Sequence, residues 1–463
     1  MKQFDLEHKI HIFFSGIGGI SMSGMAHLLL DRGFQLSGSD TMKSDLTVAL
    51  VREGAKIYYG QSPENITEDI DLVVHSAAIH RDNPELMRAE AMGLPIMTRA
   101  EFLGALMANY EIAIGISGTH GKTTTTSMVS DIFLSAGLNP TISVGGIMPS
   151  FGGNFKIGGS KYFITEACEY TNSFWSFYPD CAVILNCELD HTDFFKDEED
   201  FRASFRRYAQ NVRPGGKVII HRAIRDIDYF KNPSATMITF GVEDNADYCA
   251  KNVRGDAAGQ TFDLYRKGTF IEQVRLNMPG AYNVPNALAA IAAAMEYGLP
   301  LDVILLTLSR FHCAQRRFEI LGETNGVTVI SEFAHHPTAI RYALETARLL
   351  QPKKLWTVFQ PHAYSRTKEF LHEFADVLSA SDAVVLVPIY AAREVNTYNI
   401  YSEDIARILK DNGVETYCCG GFGEAEDVIL THARPGDAVM AMGGGDIDKV
   451  AKDLMGIGYT HGN

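Results

Sequence analysis

The sequence predicts an α/β protein made of three consecutive domains, and three observations support this fold class. Short apolar stretches with the character of buried strands alternate with stretches of helical spacing along most of the 463 residues. Two of the strands run into glycine-rich turns that open a helix, at residues 16–24 and 118–121. A further alternating block begins near residue 322. We therefore expect three domains, at residues 1–107, 108–321 and 322–463.

The first domain has the pattern of a Rossmann-like, doubly wound fold. An apolar strand leads into a turn that contains Gly16, Gly18 and Gly19, and a helical stretch and a second strand follow. Asp40 ends that second strand, where dinucleotide-binding folds place an acidic residue beside a ribose hydroxyl. Ser76 follows the next strand, at the sheet edge where ligands bind. The pattern alone leaves NAD, a nucleotide sugar or no ligand open.

The second domain begins with a phosphate-binding loop. An apolar strand at 112–116 is followed by Gly118-Thr119-His120-Gly121-Lys122-Thr123-Thr124, after which helical spacing resumes. This order of strand, glycine loop and helix places backbone N–H groups and a helix N-terminus around phosphate oxygens. In such a loop Lys122 reaches the β- and γ-phosphates, and the hydroxyl of Thr123 binds Mg²⁺. Gly-Lys-Thr also occurs in ordinary turns, but the flanking strand and helix favour the nucleotide site.

Two later strands of this domain end in groups that bind metal ions. Glu166 ends one apolar strand, and His191 follows the next. Because they stand beside a phosphate loop, we expect them to hold Mg²⁺, although strands often end in polar residues for no functional reason. Between the phosphate loop and these strands, the glycine pairs at 145–146 and 152–153 predict a loop.

The end of the second domain carries two asparagines and an arginine of interest. Asn283 and Asn286 lie one turn apart at the start of an alanine-rich helix, where they could cap the helix or contact an adenine edge. Arg317 follows in a short basic segment, and its guanidinium could bridge phosphates.

The third domain is predicted to be a Rossmann-like parallel sheet with helices on both faces. Two of its strands end in polar loops, one with Glu332 and His335 and the other with His362 and Arg366. Ligands bind at the carboxyl ends of parallel strands, so these loops are candidate site material. A single helix is expected over 367–379.

The composition limits the classes of partner and the cellular location that we expect. No apolar run is long enough to span a bilayer and the N-terminus lacks a signal pattern, so we expect a cytoplasmic protein without membrane insertion. A net charge of −15 argues against a nucleic-acid partner. The 7 cysteines show no paired zinc spacing and are expected to be reduced thiols. A monomer and a homodimer both remain open.

Four blocks, in their order along the chain, resemble the Mur ligase family of peptidoglycan synthesis. They are Gly16-Ile17-Gly18-Gly19, residues 118–124, His335-His336-Pro337 and Phe359-Gln360-Pro361-His362, and the resemblance covers essentially the whole chain. The family consists of three-domain, ATP-dependent, Mg²⁺-requiring ligases that form amide bonds. Within it, the blocks are nearest to the branch that joins L-alanine to the carboxylate of UDP-N-acetylmuramate.

The resemblance implies a set of site residues, carried over position by position. The first domain would hold the UDP-sugar through Gly16, Gly18, Gly19, Asp40 and Ser76. The middle and last domains would hold ATP through Gly118, Thr119, His120, Gly121, Lys122, Thr123, Thr124, Asn283, Asn286, Arg317 and Glu332. Thr123, Glu166 and His191 would bind Mg²⁺, or Mn²⁺ in its place. Lys122, His335, His362 and Arg366 would act in catalysis.

Several positions depart from the family pattern. Ser331-Glu332 stands where relatives often carry two aspartates, so a longer carboxylate would have to contact the ATP ribose. Phe333 replaces a frequent tyrosine, and Ala363 stands where many members have arginine. The carbamylated lysine that other branches use as a metal ligand has no clear counterpart.

Two alternatives remain at this stage. One is the recycling ligase that joins a whole tripeptide to UDP-N-acetylmuramate, which the segment 169–193 resembles somewhat. The other is a nucleotide-binding regulator without ligase activity, for which the third-domain loops would have no use. Selectivity among L-alanine, glycine and L-serine also stays open.

Overall fold

The computed structural model describes residues 4–392 and 394–457. Its strands are β1 (His11–Ser15), β2 (Gln35–Asp40), β3 (Lys56–Tyr59), β4 (Leu72–His75), β5 (Ile96–Thr98), β6 (Ile112–Ser117), β7 (Thr141–Met148), β8 (Gly153–Lys156), β9 (Tyr162–Glu166), β10 (Cys181–Ile184), β11 (Lys217–His221), β12 (Thr236–Val242), β13 (Tyr248–Asp256), β14 (Gly259–Arg266), β15 (Thr269–Leu276), β16 (Glu319–Thr324), β17 (Val327–Glu332), β18 (Leu355–Gln360), β19 (Ala383–Leu386), β20 (Glu415–Cys418) and β21 (Ala438–Gly443).

The helices lie between these strands. They are α1 (Ile20–Asp31), α2 (Asp45–Arg52), α3 (Pro84–Ala91), α4 (Arg99–Met107), α5 (Lys122–Ser135), α6 (Glu198–Gln210), α7 (Asn283–Glu296), α8 (Leu301–Ser309), α9 (Pro337–Arg348), α10 (Tyr364–Glu369), α11 (Leu371–Leu378), α12 (Ser402–Asp411), α13 (Phe422–His432) and α14 (Asp448–Leu454), with short 3₁₀ segments at Pro63–Asn65, Tyr170–Ser176 and Ile227–Phe230. Among the described residues, no helix combines the length and apolar character needed to cross a membrane.

The first sheet is fully parallel with the strand order β3-β2-β1-β4-β5. This is the doubly wound order, and it confirms the predicted Rossmann-like domain. The central strand β1 is buried along its whole length. Because α1 starts at Ile20, directly after the glycine turn, the turn and the end of β2 meet at one edge of the sheet.

The second sheet has ten strands in the order β15-β14-β13-β12-β11-β10-β6-β9-β7-β8. Its centre is parallel, and the hairpins at both edges are antiparallel. β6 lies among the central strands and delivers the phosphate loop to the N-terminus of α5. Residues 149–152 form the turn between β7 and β8 that the two glycine pairs bracket, whereas Gly145 and Gly146 themselves lie inside β7. A Cβ on Gly145 would stand 2.9 Å from both carboxylate oxygens of Glu166, which explains a glycine within a strand.

The third sheet has the order β16-β17-β21-β18-β19-β20 and is parallel apart from β16. The predicted parallel α/β domain is therefore confirmed. The helix expected over 367–379 is instead two helices, α10 and α11, which meet at Phe370, where the backbone leaves helical angles with φ −102° and ψ 26°.

The joint between the middle and third domains lies just before β16. Arg316 and Phe318 both adopt left-handed backbone angles, with φ of 62° and 48°. The guanidinium of Arg316 donates hydrogen bonds to the carbonyl oxygens of Gly443 and Gly445, each at 2.8 Å. The side chain thus ties the joint to the turn after β21.

Candidate active site

A cavity of about 640 Å³ opens at the carboxyl ends of β6, β9 and β10, between the middle and third domains. Its size suits a nucleotide and part of a second ligand. Most of the predicted ATP and metal residues line it, together with the predicted catalytic residue His335: Thr119, His120, Gly121, Lys122, Thr123, Thr124, Glu166, His191, Asn286, Arg317 and Glu332. Most of the predicted residues therefore lie together at the sheet edge that the sequence pattern indicated.

The phosphate loop needs its glycines for backbone and steric reasons. Gly118 and Gly121 have φ of 143° and 82°, angles that favour glycine. A Cβ on Gly121 would also stand 2.4 Å from the side-chain oxygen of Asn286. α5 begins at Lys122, so its free N–H groups face the cavity and make an anion site there.

Lys122 is held by a buried carboxylate that sequence reasoning missed. Its Nζ lies 2.9 Å from both oxygens of Glu169, whose side chain is 1% exposed, and 2.5 Å from the carbonyl oxygen of Gly118. Burial disfavours the ammonium, but the Glu169 carboxylate outweighs burial and raises the pKa of Lys122. Burial would raise the pKa of Glu169, yet the charge of Lys122 lowers it. The pair is thus charged, and Glu169 holds Lys122 over the loop.

The three predicted metal ligands lie around the same cavity. Oε1 of Glu166 accepts the N–H of Gly145 at 2.5 Å, and Oγ1 of Thr123 accepts from Nη2 of Arg317 at 2.8 Å. The ring of His191 stacks on Tyr170 with its Nε2 3.5 Å from Oε1 of Glu169. The glycine cradle beside Glu166 and the hydroxyl of Thr123 offer oxygen donors with open space, which suits Mg²⁺. His191 fits less well, because its Nε2 is directed toward Glu169.

Arg366 reaches across from the third domain and pairs with Asp190, a second residue that was not predicted. Nε and Nη2 of Arg366 lie 2.9 and 2.8 Å from Oδ1 of Asp190, and both side chains are 4% exposed. Burial opposes the charge of Asp190, but Arg366 holds the pKa of that carboxyl well below its ordinary value. Nη1 of Arg366 also bonds Nδ1 of His362 at 2.9 Å.

The histidines beside this pair are kept neutral. Burial and the nearby Arg366 lower the pKa of His362 to about 4 and hold the pKa of His335 well below its ordinary range. His335 lines the cavity, whereas His362 lies behind it, stacked on Tyr390 at 5.4 Å. His362 and Arg366 therefore meet each other rather than the cavity in this domain arrangement.

The predicted adenine and ribose residues are only partly at the cavity. Asn286 lines it, but Asn283 is fully buried and donates to the carbonyl oxygen of Pro279 at 2.7 Å. Glu332 lines it with both carboxylate oxygens engaged, one by the N–H of Phe318 and one by the N–H of Ala334. Asn283 therefore stabilises the start of the helix and does not reach the cavity.

The five residues predicted to hold the UDP-sugar meet at the edge of the first sheet. Oδ2 of Asp40 accepts the N–H of Gly18 at 2.8 Å. A Cβ on Gly16 would stand 2.9 Å from Oγ of Ser76, and Gly19 precedes α1. The glycine turn, the acidic residue and the serine loop therefore form one site, separate from the cavity that holds the phosphate loop.

Comparisons with known proteins match this architecture domain by domain. Residues 11–111 match the Mur ligase family, catalytic domain; residues 116–294 match the Mur ligase middle domain; and residues 316–445 match the Mur ligase, glutamate ligase domain. The UDP-N-acetylmuramate–L-alanine ligase of Agathobacter rectalis is 49% identical over 460 residues, which cover 98% of this chain and 100% of the relative. That of Lachnospira eligens is 48% identical over 458 residues, with 98% and 100% covered.

Solved structures give the same result. The crystal structure of a UDP-N-acetylmuramate–alanine ligase from Thermotoga maritima is similar with a TM-score of 0.82 at 29% identity, covering 96% of this chain and 98% of that one. A murein peptide ligase from Psychrobacter arcticus is similar with a TM-score of 0.73 at 25% identity, covering 97% and 98%.

Proposed function

Because this chain belongs to the Mur ligase family, we propose that it joins L-alanine to the carboxylate of UDP-N-acetylmuramate at the expense of ATP, in peptidoglycan precursor synthesis. Close relatives with that activity cover the full chain. The observation in the structure that carries the proposal is the Lys122–Glu169 pair over a phosphate loop, in a cavity that the third domain closes.

The reaction needs an activated carboxylate. We assign the first step to attack of a carboxylate oxygen on the γ-phosphorus of ATP, with ADP as leaving group and an acyl phosphate as product. The free amine of L-alanine then attacks the acyl carbon, and the tetrahedral intermediate expels phosphate. Phosphoryl transfer gains most from charge neutralisation and positioning, which is what a buried lysine and a helix N-terminus supply.

Different residues of the chain are assigned to the phosphates and to the metal ion. Lys122 and Arg317 neutralise the phosphates, and the N–H groups at the start of α5 bind them. We assign Thr123 and Glu166, with His191 beside them, to Mg²⁺ or Mn²⁺. The metal when bound would neutralise charge on the β- and γ-phosphate oxygens. Glu169 fixes the position of Lys122, and Nε2 of His191 lies 3.5 Å from the same carboxylate.

The third domain is assigned to the amino acid. We assign Arg366 to the carboxylate of L-alanine, which requires its guanidinium to turn from Asp190 and His362 toward the cavity. With a pKa of about 4, His362 is a weak base at neutral pH, so we assign it to orienting Arg366 through their 2.9 Å contact rather than to taking the proton from the amine. Closure of the third domain over the cavity would exclude water from the acyl phosphate.

The test is the substitution Lys122→Ala. We expect ADP formation to fall by at least about 10³-fold, because the main cation at the phosphates is lost, while UDP-sugar binding measured by calorimetry is unchanged. The exposed lysine variant Lys196→Ala serves as control and should keep the wild-type rate. A Lys122→Ala protein that turns over near the wild-type rate would refute the assignment.

The rival with a tripeptide substrate is separated in the same assay. Comparing ADP release with L-alanine and with the tripeptide should give turnover with L-alanine, in line with the higher identity to the alanine-adding relatives than to the murein peptide ligase. The cytoplasmic location, the state as monomer or homodimer, and the domain divisions after residues 107 and 321 stay predictions.

A further inference from the structure

A cluster of two imidazoles and a carboxylate lies at the phosphate loop, and its side chains are assigned to no step of the proposed reaction. One ring nitrogen each of His120 and His336 and a carboxylate oxygen of Glu188 lie within 4.8 Å of one another. We propose that these three side chains form a site for a divalent ion that prefers nitrogen ligands, of the Zn²⁺ class, and that this ion bridges the middle and third domains.

Three separate segments of chain bring the ligands together. His120 belongs to the phosphate loop, Glu188 follows β10, and His336 is the residue that precedes α9 in the third domain. The bridge is supported by a hydrogen bond from the hydroxyl of Thr338 to Oε2 of Glu188 at 2.9 Å, which also crosses the domain boundary. The geometry therefore exists only when the third domain is docked as it is here.

The spacing fits a tetrahedral ion. Nε2 of His120 and Oε2 of Glu188 are 3.3 Å apart, and the two imidazole rings have centroids 4.7 Å apart. Ligand atoms about 2.0–2.2 Å from one ion at a tetrahedral angle are about 3.3–3.6 Å from each other. Small side-chain rotations are enough to bring all three donors to that separation, with water as the fourth ligand.

One buried member of the cluster, His336, is poorly satisfied without an ion. His336 is 6% exposed, yet its Nε2 has no hydrogen-bond partner, and its Nδ1 makes only a long contact of 3.3 Å with the N–H of Thr338. A buried imidazole with so little hydrogen bonding is unusual, because buried polar atoms are nearly always paired. An ion on Nε2 would give this atom the partner it lacks, with the ring proton then on Nδ1 and the long contact to the N–H of Thr338 given up.

The donor set distinguishes this site from the one assigned to Mg²⁺. Two nitrogens and one oxygen suit Zn²⁺, Co²⁺ or Ni²⁺, whereas Mg²⁺ prefers an all-oxygen shell with several waters. The residues also differ: the Mg²⁺ assignment uses Thr123, Glu166 and His191. Because His120 belongs to the phosphate loop, an ion here would hold the loop and the third domain together in the docked arrangement.

The test is Co²⁺ and Zn²⁺ binding to the full chain without nucleotide or Mg²⁺. Co²⁺ should bind one per chain with the intense visible absorption of a four-coordinate ion, and Zn²⁺ should displace it. The variants His336→Ala and Glu188→Gln should each lose that absorption and weaken Zn²⁺ binding more than about tenfold, as expected for loss of a ligand. Glu188→Gln keeps the shape of the side chain and guards against misfolding in His336→Ala.

Two control variants locate the ion. His372→Ala removes an exposed histidine, and His191→Ala removes the histidine of the other candidate site; both should bind Co²⁺ like the wild type. Absorption that survives in both His336→Ala and Glu188→Gln, disappears in His191→Ala, or shows thiolate charge-transfer bands would overturn the proposal. Weak, six-coordinate spectra in the wild type would overturn it as well.

Discussion

The two contacts between neighbouring domains are built in opposite ways. The first and middle domains share one hydrophobic core, in which Phe102 and Leu106 of α4 belong to the same cluster as Phe174 and Tyr208 of the middle domain. The third domain has separate cores of its own. It meets the middle domain mainly through polar groups, the Asp190–Arg366 ion pair and hydrogen bonds such as that from Thr338 to Glu188, together with the stacked rings of Tyr282 and Tyr342.

The difference teaches which part of the molecule can move. Burial of a shared apolar core is strongly favourable and non-directional, so it holds the first two domains together as one body. A polar contact is directional, and each of its groups can exchange its partner for water or a ligand when it separates. The third domain is therefore the one expected to open and close over the cavity, with the ion pair defining the closed position.

The largest effect should come from breaking the polar contact. In Asp190→Ala the guanidinium of Arg366 loses its buried partner, and removal of one partner from a buried ion pair costs about 3–5 kcal/mol. We expect kcat/KM for L-alanine to fall by at least about 100-fold, with most of the loss in KM, because Arg366 is no longer positioned. Steady-state kinetics and small-angle scattering would measure the loss of activity and of domain closure.

Asp228→Ala gives the matched control, since it removes an exposed ion pair with Lys231. Exposed pairs contribute about 0–1 kcal/mol, so activity and scattering should not change. An Asp190→Ala enzyme with wild-type KM would show that the buried pair does not position Arg366.

Acid should unfold the third domain before the shared core. Burial and Arg366, a residue of the same domain, lower the folded-state pKa of His362 to about 4, below the ordinary value of 6.5. The unfolded state of this domain therefore binds more protons between those values, and the stability that His362 contributes is complete above pH ~6.5 and lost as pH falls toward ~4. The loss amounts to about 2–4 kcal/mol.

Limited proteolysis across that range of pH should release the third domain while the first two stay resistant. The variant His362→Gln removes the titrating group, so the change between pH ~6.5 and ~4 should become shallower. A proteolysis profile identical to that of the wild type would refute this origin of the pH dependence.

The smallest effect should come from overfilling the shared core. Gly104 in α4 packs so closely on the middle domain that a Cβ would stand 2.1 Å from the carbonyl oxygen of Ser176. Gly104→Ala should lower the free energy of unfolding by about 1–3 kcal/mol through this clash, with kcat retained at low temperature. Calorimetry would record one lowered transition for the first two domains.

The helical glycine Gly423 in α13 has no atom within 4 Å of its would-be Cβ and serves as the control. Gly423→Ala should be neutral or slightly stabilising, because this position in the first turn of α13 has open space for a Cβ. Equal free energies of unfolding for the two variants would show that the close approach of α4 to the middle domain does not limit stability.

Much of this architecture was accessible from the sequence because the signals are local. The glycine turn after β1 and the phosphate loop after β6 each combine strand, loop and helix within a short segment, and both were placed correctly. Hydrophobic periodicity also predicted the parallel third domain. What it missed was non-local: β7 contains Gly145, which makes room for Glu166, 21 residues away along the chain.

The same limit explains the residues missed at the site. Glu169 and Asp190 stand in segments that the sequence had already marked as polar strand ends, but their partners, Lys122 and Arg366, come from distant parts of the chain. A buried carboxylate and an exposed one look alike in a sequence, so only packing shows which of them holds a catalytic cation. The acidic residues nearest each predicted ligand were the available signal.

The left-handed backbone at Arg316 and Phe318 affects the free energy of opening the third domain. Left-handed backbone costs about 1–2 kcal/mol for a residue other than glycine. Any opening that returns these two residues to ordinary backbone angles recovers that free energy. The backbone strain at the joint would then favour opening, and the Asp190–Arg366 ion pair across the cavity opposes it. The third domain would therefore open readily once product release weakens that ion pair.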